Sequence, residues 1–590
     1  MKSLLGLLYN LFVDLKRLHP EVEGLDRDYL TIKARVEDEG IGFLTVALPS
    51  LGKSFDRALS DGWMPHIPGF SRNKSLPKLF SGLTKHIFDY TTGVLLDSPS
   101  IECILSVRQL CYLFKKFLPG ESRVELLDYQ AKKDFVELDA SIRGVAPFRL
   151  DALARIGSFL LPDLDEFGNL ECRHGPGAVF EGYTPNQKWE EVYRGLLDMD
   201  PRLLSAGYDL PASIVGDLIF RTPSLEDFPS TGRTRIVTVP KSSSALRTIT
   251  VEPCLNQFVQ QGYNAWLRDC ISRDRALRQI LVLNDQRPNQ ELALAGSRTG
   301  EWCTIDLSSA SDLLSQQTIE AVFASRPRFL SGILDCRTPF VEYNSDIISM
   351  KKFAGMGNAT TFPVQSVAFA AVALVAILGN TKELSYEKIV RASGNVQVYG
   401  DDIIVRSEHF RAVADWITCF GLKINRSKTF SKGNFRESCG VDAYGGTDVT
   451  PVYLRHDPGV TCSEPSAVVS VVSSSNHLWL RGYYHSAEFL RNSVEASLKR
   501  RLPLVRRSSA ALGWVTRYDD FEVQRWHPNL HRFEVRTYAL VPKRRRDALS
   551  GYPALIKYYH LPNLGEDDPT HLSVSVRKFA SNLRCRWVQV

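Results

Sequence analysis

Residues 396–405, VQVYGDDIIV, constrain the fold of this chain more than any other stretch of its sequence. Two short apolar runs rich in Val, Ile and Tyr flank Gly400, Asp401 and Asp402, a pattern that predicts a β-hairpin with a tight turn. Both carboxylates would stand at the hairpin tip, where they repel each other unless a cation or solvent separates them. Two interpretations stay open at this point: an ordinary solvated turn, or an oxygen-ligand site of the kind that Mg²⁺ prefers.

Length and composition limit the class of protein. The chain has 590 residues, more than one hydrophobic core normally serves, so we expect several subdomains. The hydrophobic fraction of 44% and the charged fraction of 23% are those of a folded soluble protein, and the net charge of +6 permits a polyanionic partner. Eleven cysteines without a Cys-x-x-Cys pair argue against a zinc site and fit a reducing cytoplasm. The longest apolar run, residues 367–378, is too short to span a bilayer, so we expect no membrane segment.

A basic ribbon is predicted upstream of the hairpin. Residues 235–241 and 247–251 alternate like two strands around a polar loop at 242–244. Four basic residues lie on or beside this ribbon: Arg233, Arg235, Lys241 and Arg247. The ribbon is either a solvated hairpin or a clamp for a triphosphate, since arginine binds phosphate bidentately and lysine acts as a point charge.

A further pair of acids lies between the ribbon and the hairpin. Residues 301–307 read as a short strand that ends near Asp306, and the small residues after it open a helix that carries Asp312. If this strand and the hairpin are neighbours in one sheet, Asp306, Asp401 and Asp402 converge. Two metal ions could then bridge them and support an in-line phosphoryl displacement, with the basic ribbon neutralising the triphosphate.

The segment after the hairpin supplies a candidate proton donor. The sequence predicts a helix over 409–420, a strand over 422–425 packed beside the hairpin, and then a basic turn with Lys428. Lys428 is placed to protonate a leaving pyrophosphate, although a surface lysine is the usual alternative and Lys423 is a rival. From about residue 455 we expect a helical, basic region. Its runs at 499–501, 506–507 and 543–546 suggest a surface for a nucleic-acid backbone.

Taken together, these segments resemble an RNA-directed RNA polymerase. More narrowly, they resemble the replicase catalytic (beta) subunit of the single-stranded RNA bacteriophages, the leviviruses. The resemblance rests on residues 304–312 (TIDLSSASD), 356–358 (MGN), 399–402 (YGDD), 428–430 (KTF) and 435–440 (FRESCG), with support from 239–241 and 284–290. It covers about residues 235–455, and the remainder matches only by position and length.

The resemblance implies an α+β right-hand polymerase with fingers, palm and thumb. The implied parts are an N-terminal region with fingers (1–230), a basic β-ribbon of the fingers (231–300), a palm with an antiparallel sheet plus helices (301–455), and a thumb with a basic C-terminal region (456–590). The implied activity is template-directed RNA synthesis from ribonucleoside triphosphates with two Mg²⁺ ions, or Mn²⁺ in their place, in the cytoplasm of an infected bacterium. Implied partners are the RNA template and product, host translation elongation factors Tu and Ts and a ribosomal protein, with no membrane.

The resemblance also implies a role for each matched residue. The implied roles are metal ligands for Asp306, Asp401 and Asp402, the general acid for Lys428, triphosphate binding for Lys241 and Arg247 with Arg235 as a weaker candidate, and 2′-hydroxyl recognition for Asp312 and Asn358. The segment 359–366 departs from the family pattern, which makes Gln365 and Ser366 weak candidates.

Two other functions compete with this interpretation. A reverse transcriptase shares the paired aspartates but usually blocks the 2′-hydroxyl with a bulky residue, whereas Asp312 is a hydrogen-bonding acid that favours ribonucleotides. A non-catalytic RNA-binding scaffold would use the basic C-terminal region, yet a polyanion binder has no use for three convergent acids.

Overall fold

The computed structural model describes residues 2–118, 120–165, 170–208, 232–379, 383–459, 464–542, 548–560 and 581–590. Helix and sheet are mixed along the chain, which confirms the predicted α+β class. The helices are α1 Lys2–Leu18, α2 Leu25–Glu39, α3 Leu48–Asp61, α4 Ser81–Thr84, α5 Ile101–Tyr112, α6 Glu121–Ala140, α7 Pro147–Gly157, α8 Gln187–Leu197, α9 Pro201–Ser205, α10 Cys254–Arg273, α11 Leu277–Ile280, α12 Arg287–Thr299, α13 Ala310–Leu313, α14 Gln316–Phe323, α15 Pro327–Asp335, α16 Thr361–Leu378, α17 Tyr386–Ser393, α18 Phe410–Cys419, α19 Pro465–Leu480, α20 Tyr484–Leu498 and α21 Gly551–His560.

The strands form small sheets that are mostly antiparallel. They are β1 Arg72–Asn73, β2 Leu76–Pro77, β3 Arg233–Ser242, β4 Ala245–Val251, β5 Trp302–Ser308, β6 Phe340–Tyr343, β7 Asp346–Ser349, β8 Val396–Tyr399, β9 Asp402–Arg406, β10 Lys423–Ile424, β11 Phe435–Ser438, β12 Val441–Tyr444, β13 Thr447–Asp448, β14 Arg525–His527, β15 Arg532–Pro542 and β16 Ser581–Gln589. Their orders are β1-β2, β4-β3-β6-β7, β10-β5-β9-β8, β11-β12-β13 and β14-β15-β16. The predicted ribbon is confirmed as β3 and β4, and the predicted hairpin as β8 and β9.

The sheet β10-β5-β9-β8 positions the acids. All its neighbouring strands are antiparallel, and it packs against α12 and α16. Ile403, Ile404 and Val405 of β9 are fully buried, and because successive side chains point to opposite faces, both faces of this strand are covered.

Helix α16 is long and apolar enough to cross a bilayer by length and composition alone. It begins at Thr361, six residues before the apolar run seen in the sequence, so its length alone does not exclude a membrane span. However, 83% of it is buried inside the protein, where it belongs to the larger hydrophobic core. A helix that is apolar all round is expected in such a position.

Two large cores hold the described residues together, and they do not follow the order of the chain. One core contains buried residues between Val145 and Leu422. The other joins the N-terminal helices, from Leu4 to Phe114, to buried residues between Phe430 and Trp514. The contact of α1 with α20 illustrates this arrangement, in which the start of the chain packs on a region almost five hundred residues away.

The region after residue 455 differs from its predicted helical form. Helices α19 and α20 are present, but they are followed by the three-stranded sheet β14-β15-β16. The prediction of a helical region was wrong because it followed the basic runs and overlooked a strand pattern. Residues 532–541, RFEVRTYALV, in fact contain the β-branched and aromatic residues typical of a strand.

Candidate active site

The hairpin and β5 bring the predicted acids together. Tyr399 and Asp402 are paired across the hairpin, so Gly400 and Asp401 form its two-residue turn. Gly400 has a φ of 62°, and a Cβ atom there would lie 2.9 Å from the Phe362 ring, so both the backbone and the space favour glycine.

Strand β5 lies beside β9, and Asp306 is directly opposite Asp402. Directly paired residues on antiparallel strands point to the same face, with Cβ atoms about 4.5–5.5 Å apart. The prediction that β5 and the hairpin are neighbours in one sheet is therefore confirmed, and this pairing brings the Asp306 and Asp402 side chains together.

Asp306 is held from the side of β10. Its Oδ2 accepts a hydrogen bond from Asn425 Nδ2 at 2.7 Å, and its backbone N–H donates to Thr429 Oγ1 at 3.2 Å. Burial raises the pKa of Asp306 to about 6, with Lys428 and Asn425 acting against this and the charges of Glu437 and Asp401 adding to it. The hydrogen bond from Asn425 therefore orients this carboxyl group, but the nearby positive charge is too small to offset the effect of burial on its pKa.

Asp402 has an even less favourable electrostatic environment. Its Oδ2 accepts from the Cys439 N–H at 3.2 Å and faces the Cys439 thiol at 3.5 Å. Burial raises its pKa to about 7, and the neighbouring charges of Asp401 and Asp306 add to this effect. A cation near these carboxylates would favour their ionised forms.

Asp401 is exposed at the turn and its carboxylate makes no hydrogen bond with the described residues. Within the same part of the chain, no group of three or more His, Cys, Asp and Glu side chains forms a ready metal-binding arrangement. Mg²⁺ usually binds through one or two carboxylates, several waters and substrate phosphates, so the oxygens present fit this ion without a complete protein cage.

Lys428 lies beside these acids. Its Nζ is 2.8 Å from Glu437 Oε1 and 3.8 Å from Asp306 Oδ1. Burial acts to lower the pKa of Lys428, but the carboxylates of Glu437 and Asp306 outweigh it and hold that pKa above its ordinary value. We call Asp306, Asp401, Asp402, Glu437 and Lys428 the acid cluster.

The strand before Lys428 differs from its predicted position. We expected residues 422–425 to pack beside the hairpin, but β10 pairs with β5, which therefore separates it from the hairpin. Lys428 still reaches Asp306 because β5 itself carries that residue.

The ribbon brings Lys241 to the acids and leaves Arg235 away from them. Partial desolvation, Arg247 and Lys428 lower the pKa of Lys241, whereas Asp306 and Asp401 act in the opposite direction, so these groups share one electrostatic environment. Arg247 is on β4 opposite Val239. Arg235 lies six residues before Lys241, about 20 Å along an extended strand, and lines a separate cavity of about 470 Å³ with Arg233.

The two residues expected at the ribose are both buried. Asp312 makes an ion pair with Lys352, whose Nζ is 3.0 Å from Asp312 Oδ1. Asn358 Oδ1 accepts from the Thr360 N–H at 2.8 Å and from the Thr360 hydroxyl at 2.7 Å. Asn358 Nδ2 is buried without a hydrogen-bond partner, so it remains available to a ligand.

Gln365 and Ser366 have different environments. Gln365 is buried with its amide beside Gly400, and its Oε1 has no hydrogen-bond partner. The Ser366 hydroxyl donates to the Phe362 carbonyl at 2.8 Å, one turn earlier in α16. Ser366 is therefore part of the helix, whereas Gln365 touches the turn that carries the acids.

Sequence reasoning missed the residues that orient the acids. These are Asn425 at Asp306, Cys439 at Asp402, Glu437 at Lys428 and Lys352 at Asp312. Residues 435–440 carry part of the family resemblance, but the roles implied by that resemblance do not include Glu437 or Cys439. Asn425 is the last residue of the strand predicted over 422–425, and that position was the available signal.

The exposed basic runs lie apart from the acid cluster in the sequence. Residues 499–501 and 506–507 are exposed in the structure. The run at 543–546, predicted to bind an RNA backbone, lies outside the described residues.

Comparison with known proteins supports the resemblance. Residues 212–473 match the family described as "RNA replicase, beta-chain". The chain is 38% identical over 223 residues to the "RNA-directed RNA polymerase subunit beta" of Escherichia virus Qbeta, covering 38% of this chain and 35% of that protein. It is 35% identical over 235 residues to the "RNA-directed RNA polymerase beta chain" of Enterobacteria phage fr, covering 40% of each, and 37% identical over 224 residues to that of Escherichia phage MS2, covering 37% of each.

These matches span less than half of the length of each relative. The family match over residues 212–473 includes β3, β5, the hairpin and Lys428, so it contains all the residues assigned from the motifs. The predicted resemblance is confirmed: residues 212–473 match the RNA replicase beta-chain family, and part of the chain is similar to the beta subunits of these phages.

Proposed function

We propose that this protein is an RNA-directed RNA polymerase that copies an RNA template from ribonucleoside triphosphates. One observation carries the proposal: Asp306 and Asp402 face each other on adjacent strands, and Asp401 adds a third carboxylate at the turn. Burial, with neighbouring carboxylates adding to it, raises the pKa of Asp306 to about 6 and that of Asp402 to about 7, and a bound cation would favour the ionised forms of both. The match to the family described as "RNA replicase, beta-chain", over residues 212–473, includes this region.

The three aspartates would hold two Mg²⁺ ions together with water and substrate phosphates. When bound, these ions supply charge stabilisation to the attacking and leaving oxygens of the phosphoryl transfer. The protein contributes orientation, since Asn425 fixes Asp306 and the Cys439 N–H fixes Asp402 before substrate arrives. Asp401 stays exposed and free to contact a ligand.

The basic groups around the acids would hold the incoming nucleotide. Lys241 and Arg247 would contact the triphosphate. The growing strand's 3′-oxygen would lose its proton to water and bond to the α-phosphorus, while the bond from that phosphorus to the pyrophosphate oxygen breaks and Lys428 donates a proton to this leaving oxygen. Asp312 and Asn358 would contact the ribose 2′-hydroxyl. Support comes from the shared electrostatic environment of Lys241, Lys428 and the acids.

The right-hand arrangement of fingers, palm and thumb is part of this proposal. The sheet β10-β5-β9-β8 with α12 and α16 would be the palm. The template and product RNA are proposed ligands, and the exposed runs at 499–501 and 506–507 are suited to their phosphates. Elongation factors Tu and Ts and a ribosomal protein remain partners predicted from the family resemblance alone, as does a bacterial cytoplasmic location.

Primer extension on a defined RNA template tests the function. The purified chain, alone and with a host cell extract, receives labelled ribonucleotides or deoxyribonucleotides, with Mg²⁺ or with EDTA. We expect extension with ribonucleotides and Mg²⁺, and its loss in Asp401→Asn. Asp415→Asn, which changes an exposed acid on α18, is the matched control and should be fully active.

Each competing function predicts a different result. Preferential use of deoxyribonucleotides would indicate a reverse transcriptase. RNA binding without extension under either condition would indicate a scaffold and would refute the proposal.

A further inference from the structure

A fully buried lysine lies behind the proposed ribose site. The side chain of Lys352 is 0% exposed and that of Asp312 is 10% exposed, and the two form an ion pair. Charged lysine is rarely removed from water, because the interior disfavours the charged form. Burial lowers the pKa of Lys352, and Asp312 acts in the opposite direction. Such a pair needs a structural or a functional explanation, since hydrophobic residues of similar size often stabilise a core equally well.

The loop that carries Lys352 is held in place by its backbone. Both carboxylate oxygens of Asp139 accept hydrogen bonds, from the N–H groups of Lys351 and Lys352, each at 2.9 Å. The guanidinium of Arg337 donates to the carbonyl groups of Met350, Lys352 and Phe353 at 2.7, 2.8 and 2.7 Å. The ammonium group also lies 3.2 Å from the centre of the Phe135 ring. Lys352 is therefore fixed on several sides before any ligand binds.

This loop connects the two residues proposed to contact the ribose. The Phe353 N–H donates to the Leu314 carbonyl at 2.9 Å, which places the loop against the segment that follows Asp312. Six residues after Lys352 the same loop reaches Asn358, whose Nδ2 is buried without a partner. Only Oδ1 of Asp312 is engaged by Lys352, and Oδ2 makes no hydrogen bond with the described residues.

We propose that Lys352 is a positioning residue for ribose selection, which holds Oδ1 of Asp312 so that the free oxygen Oδ2 is oriented to accept a hydrogen bond from the 2′-hydroxyl. This inference rests on the proposed polymerase function. An ionised carboxylate is an acceptor only, and it makes stronger hydrogen bonds than a neutral one. Without Lys352, the Asp312 carboxylate would lose the partner that holds Oδ1 and would be free to turn towards water. A deoxyribose would leave the oriented oxygen without its partner, and sites built around a hydroxyl reject analogues that lack it.

The test compares the kcat/KM of ATP with that of dATP for addition of one nucleotide to an RNA primer. Lys352→Met should reduce the ribose preference about tenfold or more, as Asp312→Ala should. Lys352→Arg should restore part of it, because arginine can also pair with the carboxylate. Lys351→Met is the matched control, since that side chain is exposed, and it should keep the preference of the unaltered protein.

A double variant separates positioning from simple structural support. Lys352 acts through Asp312, so Asp312→Asn with Lys352→Met should lose no more ribose preference than Asp312→Asn alone. This double variant also removes both buried charges, which keeps the comparison available if Lys352→Met folds poorly. A preference that falls in Asp312→Ala but not in Lys352→Met would overturn the inference while leaving the polymerase function intact. A protein that extends no primer with ribonucleotides would instead refute the proposed function.

Discussion

Two clusters of charged residues in this protein differ in how completely their charges are paired. In the first, which we call the Arg108 cluster, the Arg108 guanidinium lies between the carboxylates of Asp56 and Asp442. The Tyr112 hydroxyl donates to Asp56 at 2.7 Å, and Arg108 Nε donates to the Val449 carbonyl at 3.0 Å. Each charged group has a partner, and the cluster joins α3 and α5 to β12.

The acid cluster contains four carboxylates and one lysine, so its negative charge is not balanced within the cluster. Lys428 pairs with two of these four carboxylates, Glu437 and Asp306, and Asp401 makes no hydrogen bond with the described residues. Burial raises the pKa of Asp442 in the Arg108 cluster to about 6, as it does for Asp306. A raised pKa therefore does not distinguish the two clusters. The difference is that each charged group of the Arg108 cluster is paired with a charge of opposite sign, whereas Asp401 and Asp402 make no ion pair with the described residues and leave oxygens for a ligand.

The largest expected effect is on activity, in the acid cluster. Asp401→Asn should reduce single-turnover nucleotide addition by on the order of 10³-fold or more, because several kcal/mol of charge stabilisation is removed. The free energy of unfolding should hold or rise slightly, since one of several like charges is lost. Single-turnover extension and urea denaturation measure the two effects. Full activity in this variant would remove the basis for a metal site at the turn.

Lys428 has the next largest expected effect. Lys428→Leu should slow the chemical step about 10²–10⁴-fold if the lysine is the general acid. Lys428→His should restore part of the rate with a lower pH optimum. If Lys428 only balances the carboxylates, as Arg108 does in its own cluster, histidine should give no such shift.

Lys423 provides the control for that experiment. It is exposed on β10, and its backbone is paired opposite Ser308. Lys423→Leu should leave the rate unchanged. A loss at Lys423 that exceeds the loss at Lys428 would transfer the proton donor to β10.

The Arg108 cluster should show the reverse pattern, with a large effect on stability. Arg108→Met leaves two buried carboxylates without their cation, which costs about 3–5 kcal/mol of the free energy of unfolding. Replacing Arg108, Asp56 and Asp442 together by apolar residues should cost less than Arg108→Met alone, because no buried charge is left unpaired. Urea denaturation compares the variants, and single-turnover extension below the unfolding transition should remain near normal. A slowed chemical step in folded Arg108→Met would break the distinction between the two clusters.

The sequence predicted those parts of the site that depend on local chemistry. The hairpin was predictable because a Gly-Asp turn between β-branched residues is a short-range signal. The convergence of Asp306 with Asp402 could be stated only as a condition, since pairing of strands about a hundred residues apart has no local signature. The resemblance of the motifs to a known polymerase family implied that these aspartates lie together.

The supporting residues could not be predicted in this way. Asn425 contacts an acid 119 residues away in the sequence, and Lys352 contacts one 40 residues away. The place of Asn425 at the end of a predicted strand marks it as a candidate but does not identify its partner, and the segment around Lys352 gives no indication of one. The Arg108 cluster was missed for the same reason, because it joins positions separated by more than three hundred residues. The β14-β15-β16 sheet was not predicted, because the prediction for this region followed its basic runs and not the β-branched and aromatic pattern of β15.

The smallest expected effect is a pH-dependent change in stability at Asp402. Burial and like charges raise the pKa of Asp402 to about 7 in the folded protein, above its ordinary value near 4. The stability contribution of such a group is fully present below the unfolded-state pKa and is lost as the pH rises through about 7. Without divalent ions, Asp402→Asn should therefore gain stability relative to the unaltered protein between pH 5 and pH 8. We expect a gain on the order of 1–2 kcal/mol, because Asp402 is partly accessible to water. Urea denaturation in EDTA at both pH values measures it, with the exposed Asp415→Asn as a control that should show no pH-dependent difference. An equal stability difference at pH 5 and pH 8 would mean that Asp402 ionises as an ordinary surface acid, and that the excess charge of the acid cluster is already screened by water.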